Sequence, residues 1–189
     1  MIAYEEVLPG EVAAQLQAFL DIYLAAFSPP PYHAGKAQLE HMRKAIPAQA
    51  SRQGYRCVTA RDRPGGGLIG FAYGYTGAKG QWWTDHVARA LAGVESDRWL
   101  PGHFEFVELA VDPAFQRRGV GGCLHDLLIA GRTEGRALLS TIDQPTPALV
   151  LYERRGWVTL RRNFHFAGGD KPYRIMGLRF GAPPGGGGR

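Results

Sequence analysis

Between Gln116 and Gly122 the chain reads Gln-Arg-Arg-Gly-Val-Gly-Gly, and residues of these types at this spacing can hold an anion. Glycines at 119, 121 and 122 leave main-chain N–H groups uncovered by side chains. The apolar residues that follow, Cys123, Leu124, Leu127 and Leu128, recur at helical spacing on one face. The loop therefore opens a helix, whose first turn has unpaired donors and a partial positive charge. A diphosphate is the natural occupant of such a cradle. The loop has neither the Gly-Lys-Ser/Thr ending of a P-loop nor the G-x-G-x-x-G spacing of a dinucleotide site. A turn whose glycines serve only close helix–strand packing has the same composition. Two carboxylates stand upstream, Glu105 and Glu108, in the apolar run Phe104–Val111. That run reads as a strand stopped by Asp112-Pro113, where an unpaired carboxylate is costly to bury. Alternation puts Glu105 with Val107, Leu109 and Val111, and Glu108 with Phe104, Phe106 and Ala110.

The Gln-x-x-Gly-x-Gly pattern at 116–121, after a Leu-Ala-Val strand end and Asp-Pro, resembles motif A of the GCN5-related N-acetyltransferases, the GNAT superfamily. Leu151-Tyr152-Glu153-Arg154-Arg155-Gly156-Trp157 is similar to that family's Leu-Tyr-x-x-x-Gly-Phe segment, in the expected order. The resemblance is close over residues 104–160. It implies an α/β (α+β) GNAT fold: a central, mixed, mostly antiparallel, twisted sheet of about six to seven strands flanked by about four helices. It also implies acetyl-CoA as cosubstrate, no metal, and direct transfer to the primary amine of a small molecule or protein. In that reading Gln116, Arg117, Arg118, Gly119, Val120, Gly121 and Gly122 hold the pyrophosphate through main-chain N–H groups. The backbone of Leu109, Ala110 and Val111 meets the pantetheine arm.

A lysine-like amine is neutral only to the order of one part in a thousand at pH 7, so a general base is worth having. Glu105 falls where some family members carry their catalytic glutamate, and Glu108 where others carry a carboxylate that orders water near the acceptor; both stay candidates. Tyr152 matches the family's general-acid tyrosine, which protonates the departing thiolate. Packing is the other ordinary use of such a tyrosine. The asparagine the family commonly has seven positions earlier is Pro145 here, which puts a side-chain contact to pantetheine from that site in doubt. The alternative function is a non-catalytic acyl-CoA-binding sensor or structural GNAT module.

Composition sets the frame for these motifs. A chain of 189 residues with 45% hydrophobic content suits one domain with one core, taken as 1–182 with a disordered Gly-rich tail at 183–189. No apolar run approaches a bilayer span, and the start lacks a basic region followed by an apolar one, so a cytoplasmic protein is expected. Cys57 and Cys123 show no zinc-ligand spacing and are expected to be buried. The net charge of +5 raises a nucleic-acid partner, but the arginines are dispersed, and a small polyphosphate ligand has the better claim. A homodimer stays open.

Along the chain, the pattern predicts a strand over 2–7, a helix from Glu11 ended by Ser28-Pro29-Pro30-Pro31, and a helix over 36–49 with a break at Pro47. Strands follow at 55–60 and 68–75, and an excursion over 76–102 contains a short helix at 87–91. After the motif helix come a strand at 137–142, a helix at 147–155 capped by Gly156, and a strand pair over 157–166 and 173–180. Tyr32, in the connection after the first helix, and Trp82 and Trp83, in the excursion, are the candidate acceptor-binding residues. Tyr73 and Tyr75 could join them and would suit a cationic or aromatic amine.

Overall fold

The computed structural model describes residues 1–180; the tail read above as disordered lies outside them. Seven strands form one sheet in the order β1-β2-β3-β4-β5-β7-β6. They are β1 Ala3–Val7, β2 Arg56–Arg61, β3 Leu68–Thr76, β4 Phe104–Val111, β5 Arg136–Ile142, β6 Val158–Phe164 and β7 Tyr173–Arg179. The β1/β2, β2/β3, β5/β7 and β6/β7 pairs are antiparallel, and β4/β5 is parallel. This is the mixed, mostly antiparallel sheet expected. Six helices accompany it among the described residues: α1 Val12–Phe27, α2 Lys36–Ala50, α3 Trp82–Leu91, α4 Gly93–Trp99, α5 Val120–Ile129 and α6 Pro147–Arg154. None is long and apolar enough to cross a membrane.

The chain forms two compact units. The first is Met1–Tyr75 with Val107–Ala130. Its core sets Phe19, Leu20 and Ile46 from α1 and α2 against Phe71 and Tyr73 of β3, with the Phe19 and Phe71 rings 4.9 Å apart. Helix α2 runs through Pro47 to Ala50 rather than breaking. Proline forfeits one hydrogen bond near the helix end, and the buried Ile46 and Ala50 hold the last turn on the core. Gly70 lets α5 lie close on β3: an added Cβ would stand 3.0 Å from the Ala110 carbonyl and 3.1 Å from a Leu124 methyl.

The buried positions of α5 are Val120, Gly122, Leu124, His125 and Leu128. This differs from the expected face. The i, i+4 seam 120/124/128 turns Cys123 and Leu127 to its flank, and both are exposed. Cys57 is buried, as expected, while Cys123 is not.

The second unit is Thr76–Phe106 with the chain from Gly131. The ladder between β4 and β5 holds two pairs, Phe104↔Ala137 and Glu105↔Leu138. The excursion 76–102 contains two helices rather than one short one, with Ala92 and Gly93 at positive φ between them. Trp99 is buried, and a Cβ on Gly177 would sit 2.6 Å from its ring. Trp83 Nε1 donates to Ser140 Oγ at 3.0 Å. Trp82 stays exposed, stacked at 5.4 Å on Phe166. One tryptophan of the excursion thus caps the core, one is tied to β5, and one faces solvent.

The excursion is closed by His103. Its Nδ1–H donates to the Leu100 carbonyl at 2.6 Å, and its own carbonyl accepts from Gly77 N–H at 2.9 Å. The buried ring lies so close to Gly77 that an added Cβ would be 2.1 Å from Nε2. Gly77→Ala is therefore expected to destabilise the chain by about 1–3 kcal/mol. A denaturant midpoint that falls at unchanged m-value checks it.

Candidate active site

The sequence's glycine loop is assembled at the end of β4 by short local bonds. Asp112 N–H donates to the Ile69 carbonyl at 2.9 Å, tying the strand end to β3. The Asp112 carboxylate accepts from Ala114 N–H at 2.8 Å and so caps the turn Pro113–Phe115. Gln116 Nε2 donates back to the Val111 carbonyl at 3.0 Å. That bond gives the glutamine of the pattern a positioning job: it spans the loop and fixes the chain's exit from the strand.

Arg117 and Gly119 then adopt positive φ, 59° and 83°, and α5 begins. Its first main-chain bond is Cys123 N–H to the Gly119 carbonyl at 3.0 Å. Among the described residues, no acceptor is found for the main-chain N–H groups from Arg117 to Gly122. Gln116 to Gly119 are exposed, and a Cβ on Gly119 would meet nothing within 4 Å. Val120, Leu124 and Leu128, all buried, hold the helix beneath the loop. The Arg118 guanidinium lies 5.4 Å from the centre of the Phe115 ring.

Glu108 belongs to the same unit as the loop. It is half-buried, and burial pushes its carboxyl up to about 7, partly offset by the Leu109 N–H that donates to Oε1 at 3.1 Å. A carboxyl at that value exchanges protons near neutrality. Tyr73 feels the Glu108 charge: burial first, then that carboxylate, raise its phenol well above its ordinary value. Tyr73 Oη donates to Gln49 Oε1 at 2.7 Å, and its ring lies 5.9 Å from that of Tyr55. The Arg52 guanidinium stands 4.5 Å over the Tyr75 ring. Gln49, Arg52 and Tyr55 carried no sequence signal; they reach Tyr73 and Tyr75 from the end of α2 and the turn before β2. Tyr32, also in this unit, packs edge-on against Phe27 at 4.9 Å.

Glu105, Tyr152, Trp82 and Trp83 fall in the second unit. Glu105 is buried within the β4/β5 ladder. Tyr152 is buried on α6 and packs edge-on with Phe106 at 5.9 Å and Trp157 at 5.8 Å, as one corner of an aromatic trio. Thr146 caps α6, its Oγ1 accepting from Leu149 N–H at 3.2 Å, and Pro147 occupies the first turn. Gly156 leaves the helix at φ 81°, as a C-cap glycine does.

Known proteins resemble this chain in sequence and in fold. Residues 53–159 match the family model described as Acetyltransferase (GNAT) domain. The chain is 34% identical over 159 residues to the GCN5-like protein acetyltransferase Rv2170 of Mycobacterium tuberculosis, covering 74% of this chain and 77% of that protein. Among solved structures, it is similar to the histone acetyltransferase HPA2 and related acetyltransferase of Corynebacterium glutamicum, with a TM-score of 0.64 at 19% identity over 97% of this chain and 98% of that one. It is similar also to Arabidopsis thaliana NAA60 in complex with a bisubstrate analogue, with a TM-score of 0.60 at 18% identity over 96% and 100%.

Proposed function

The chain belongs to the GNAT acetyltransferase family, and from that premise we propose that it transfers the acetyl group of acetyl-CoA directly to a primary amine. The observation that carries the proposal is the run of main-chain N–H groups from Arg117 to Gly122 with no acceptor among the described residues, at the start of a ten-residue helix. Donors so placed fit a diphosphate. Leu109, Ala110 and Val111 would offer their backbone to the pantetheine arm, with the Val111 carbonyl already accepting from Gln116. Acetyl-CoA, when bound, supplies an acetyl thioester activated for transfer.

Two proton transfers remain for the protein. Glu108 would take the proton of the acceptor ammonium; its value of about 7 suits a base working near neutrality. Glu105 sits in a ladder and is read as structural. Tyr152 would return a proton to the leaving sulfur. Since a thiol of ordinary pKa leaves readily as thiolate, that help is worth less than the base. Tyr152→Phe is expected to slow turnover only about tenfold, because the phenyl ring keeps the packing against Phe106 and Trp157 while losing the hydroxyl. Titration of CoA and steady-state rates on the same variant separate the two effects: affinity stays within about twofold.

The relative named a protein acetyltransferase favours a protein amine as acceptor, in the cytoplasm. The deciding experiment mixes acetyl-CoA with a panel of peptides and small amines and follows free thiol. Release that depends on an amine supports the proposal. CoA-dependent thermal stabilisation without transfer to any amine would make the chain a binding module instead.

A further inference from the structure

The excursion 76–102 lines an open cavity of about 580 Å³. One face of α3 supplies Thr84, Ala88 and Arg89 to its wall, the turn after β3 supplies Lys79, and the turn before β4 supplies Leu100 and Pro101. It shares no lining residue with the loop at 116–122 or with Glu108. The polar groups are unevenly satisfied. Asp85, the one carboxylate of the lining, accepts from Gly80 N–H at 3.0 Å and so closes its own turn. Lys79 and Arg89 form no ion pair among the described residues. Thr84 is 5% exposed, and its Oγ1 has no hydrogen-bond partner among the described residues. That atom has almost no accessible surface, so it lies behind the wall and takes no part in the site.

We propose that this cavity binds a small organic anion, a carboxylate or phosphate carried on an apolar body. Two cations oppose a single, already engaged carboxylate. The anionic end would meet Lys79 and Arg89, whose charged hydrogen bonds to such oxygens are the strong ones. Ala88, Leu100 and Pro101 would take the apolar body, the ordinary division of labour in a small-molecule site. An ammonium-bearing acceptor fits poorly against two cations, so the cavity is not read as the amine's own pocket.

Calorimetric titration of the full chain with phenylacetate, phenyl phosphate and 2-phenylethanol tests this. The expected result is one-to-one binding of at least one anion, with the neutral alcohol weaker by about tenfold or more. The arm that binds tells carboxylate from phosphate. The double variant Lys79→Ala/Arg89→Ala, whose altered side chains are exposed, should fold and lose about tenfold in anion affinity. Ala88→Leu, which fills the cavity, should weaken both anions. Saturating CoA should leave the titration unchanged, which separates this site from the cosubstrate's. The proposal is overturned if neither anion binds, if the alcohol binds as well as the anions, if the double variant binds normally, or if CoA displaces the probe.

Discussion

Glu108→Gln will cut turnover roughly 10²–10⁴-fold, the usual contribution of a positioned base, while CoA binds as before. The amide keeps the local structure, because glutamine Oε1 can still accept the Leu109 N–H that now bonds Glu108 Oε1 at 3.1 Å. What it cannot do is accept a proton. In the parent chain kcat/KM should rise with pH through about 7, as the carboxyl ionises; in the variant that limb disappears. Glu105→Gln, made in parallel, should leave the limb in place. A variant at Glu108 with full activity, or a pH limb that survives it, would remove Glu108 from the mechanism.

The same substitution has a second readout of opposite sign. The folded chain holds this carboxyl above its unfolded value of 4.5, at about 7. Between those values the native state binds more protons than the unfolded one, so stability falls as pH rises. The contribution is fully present below 4.5 and lost as pH passes about 7. Glutamine never ionises and escapes this loss. A shift of this size corresponds to about 3 kcal/mol at most, and partial exposure reduces it to the order of 1–3 kcal/mol. At pH 8 the inactive variant should therefore melt higher than the parent, and at pH 4 the two should melt alike. The gap in melting reports the raised carboxyl whatever its role, and only the kinetic loss reports catalysis; the pairing of lower activity with higher stability is common where a site holds a group against its preference.

Much of this was readable because proline and glycine punctuate the chain. Asp112-Pro113 ends β4, and Gly119 and Gly156 mark where one helix begins and another stops, each at a positive φ that glycine tolerates. Each motif is a short stretch across one end of a helix, so its local conformation could be read without knowledge of the fold. What failed needed packing. The α5 face is set by a seam at 120, 124 and 128 that lies on β3 where Gly70 admits it, and one-dimensional spacing could not say that Cys123 stands beside that seam. Helix α4 has seven residues, too few for a periodic signal. Glu105 and Glu108 are equivalent as letters. Their surroundings differ: Glu105 is buried opposite Leu138 of β5, and Glu108 is half-buried with its carboxyl raised. Gln49 and Tyr55 meet Tyr73 from α2 and from the turn before β2, and no local pattern announces that contact.

Gly119→Val is the second large effect, and it should fall on binding far more than on folding. Gly119 sits at φ 83°, where a β-branched residue is strongly disfavoured and the strain is on the order of 1–2 kcal/mol. No atom lies within 4 Å of the added Cβ, so no core is disturbed, and the melting temperature should drop by only about 2–8 °C. The loop can relieve its strain only by turning its peptides, and those peptides carry the N–H groups proposed to hold the diphosphate. Losing two hydrogen bonds to a charged ligand, at about 1.5–3 kcal/mol each, weakens CoA by about 100-fold or more. Gly119→Ala should fall between the two, and Arg118→Ala should cost less than either, since its side chain stands over Phe115 and the proposed hold is by the main chain. Acetyl-pantetheine, which has no diphosphate, supplies the internal control: its slow turnover should be nearly the same in parent and variant. If the variant binds CoA as tightly as the parent, or if acetyl-pantetheine suffers equally, the anion is held somewhere other than the start of α5.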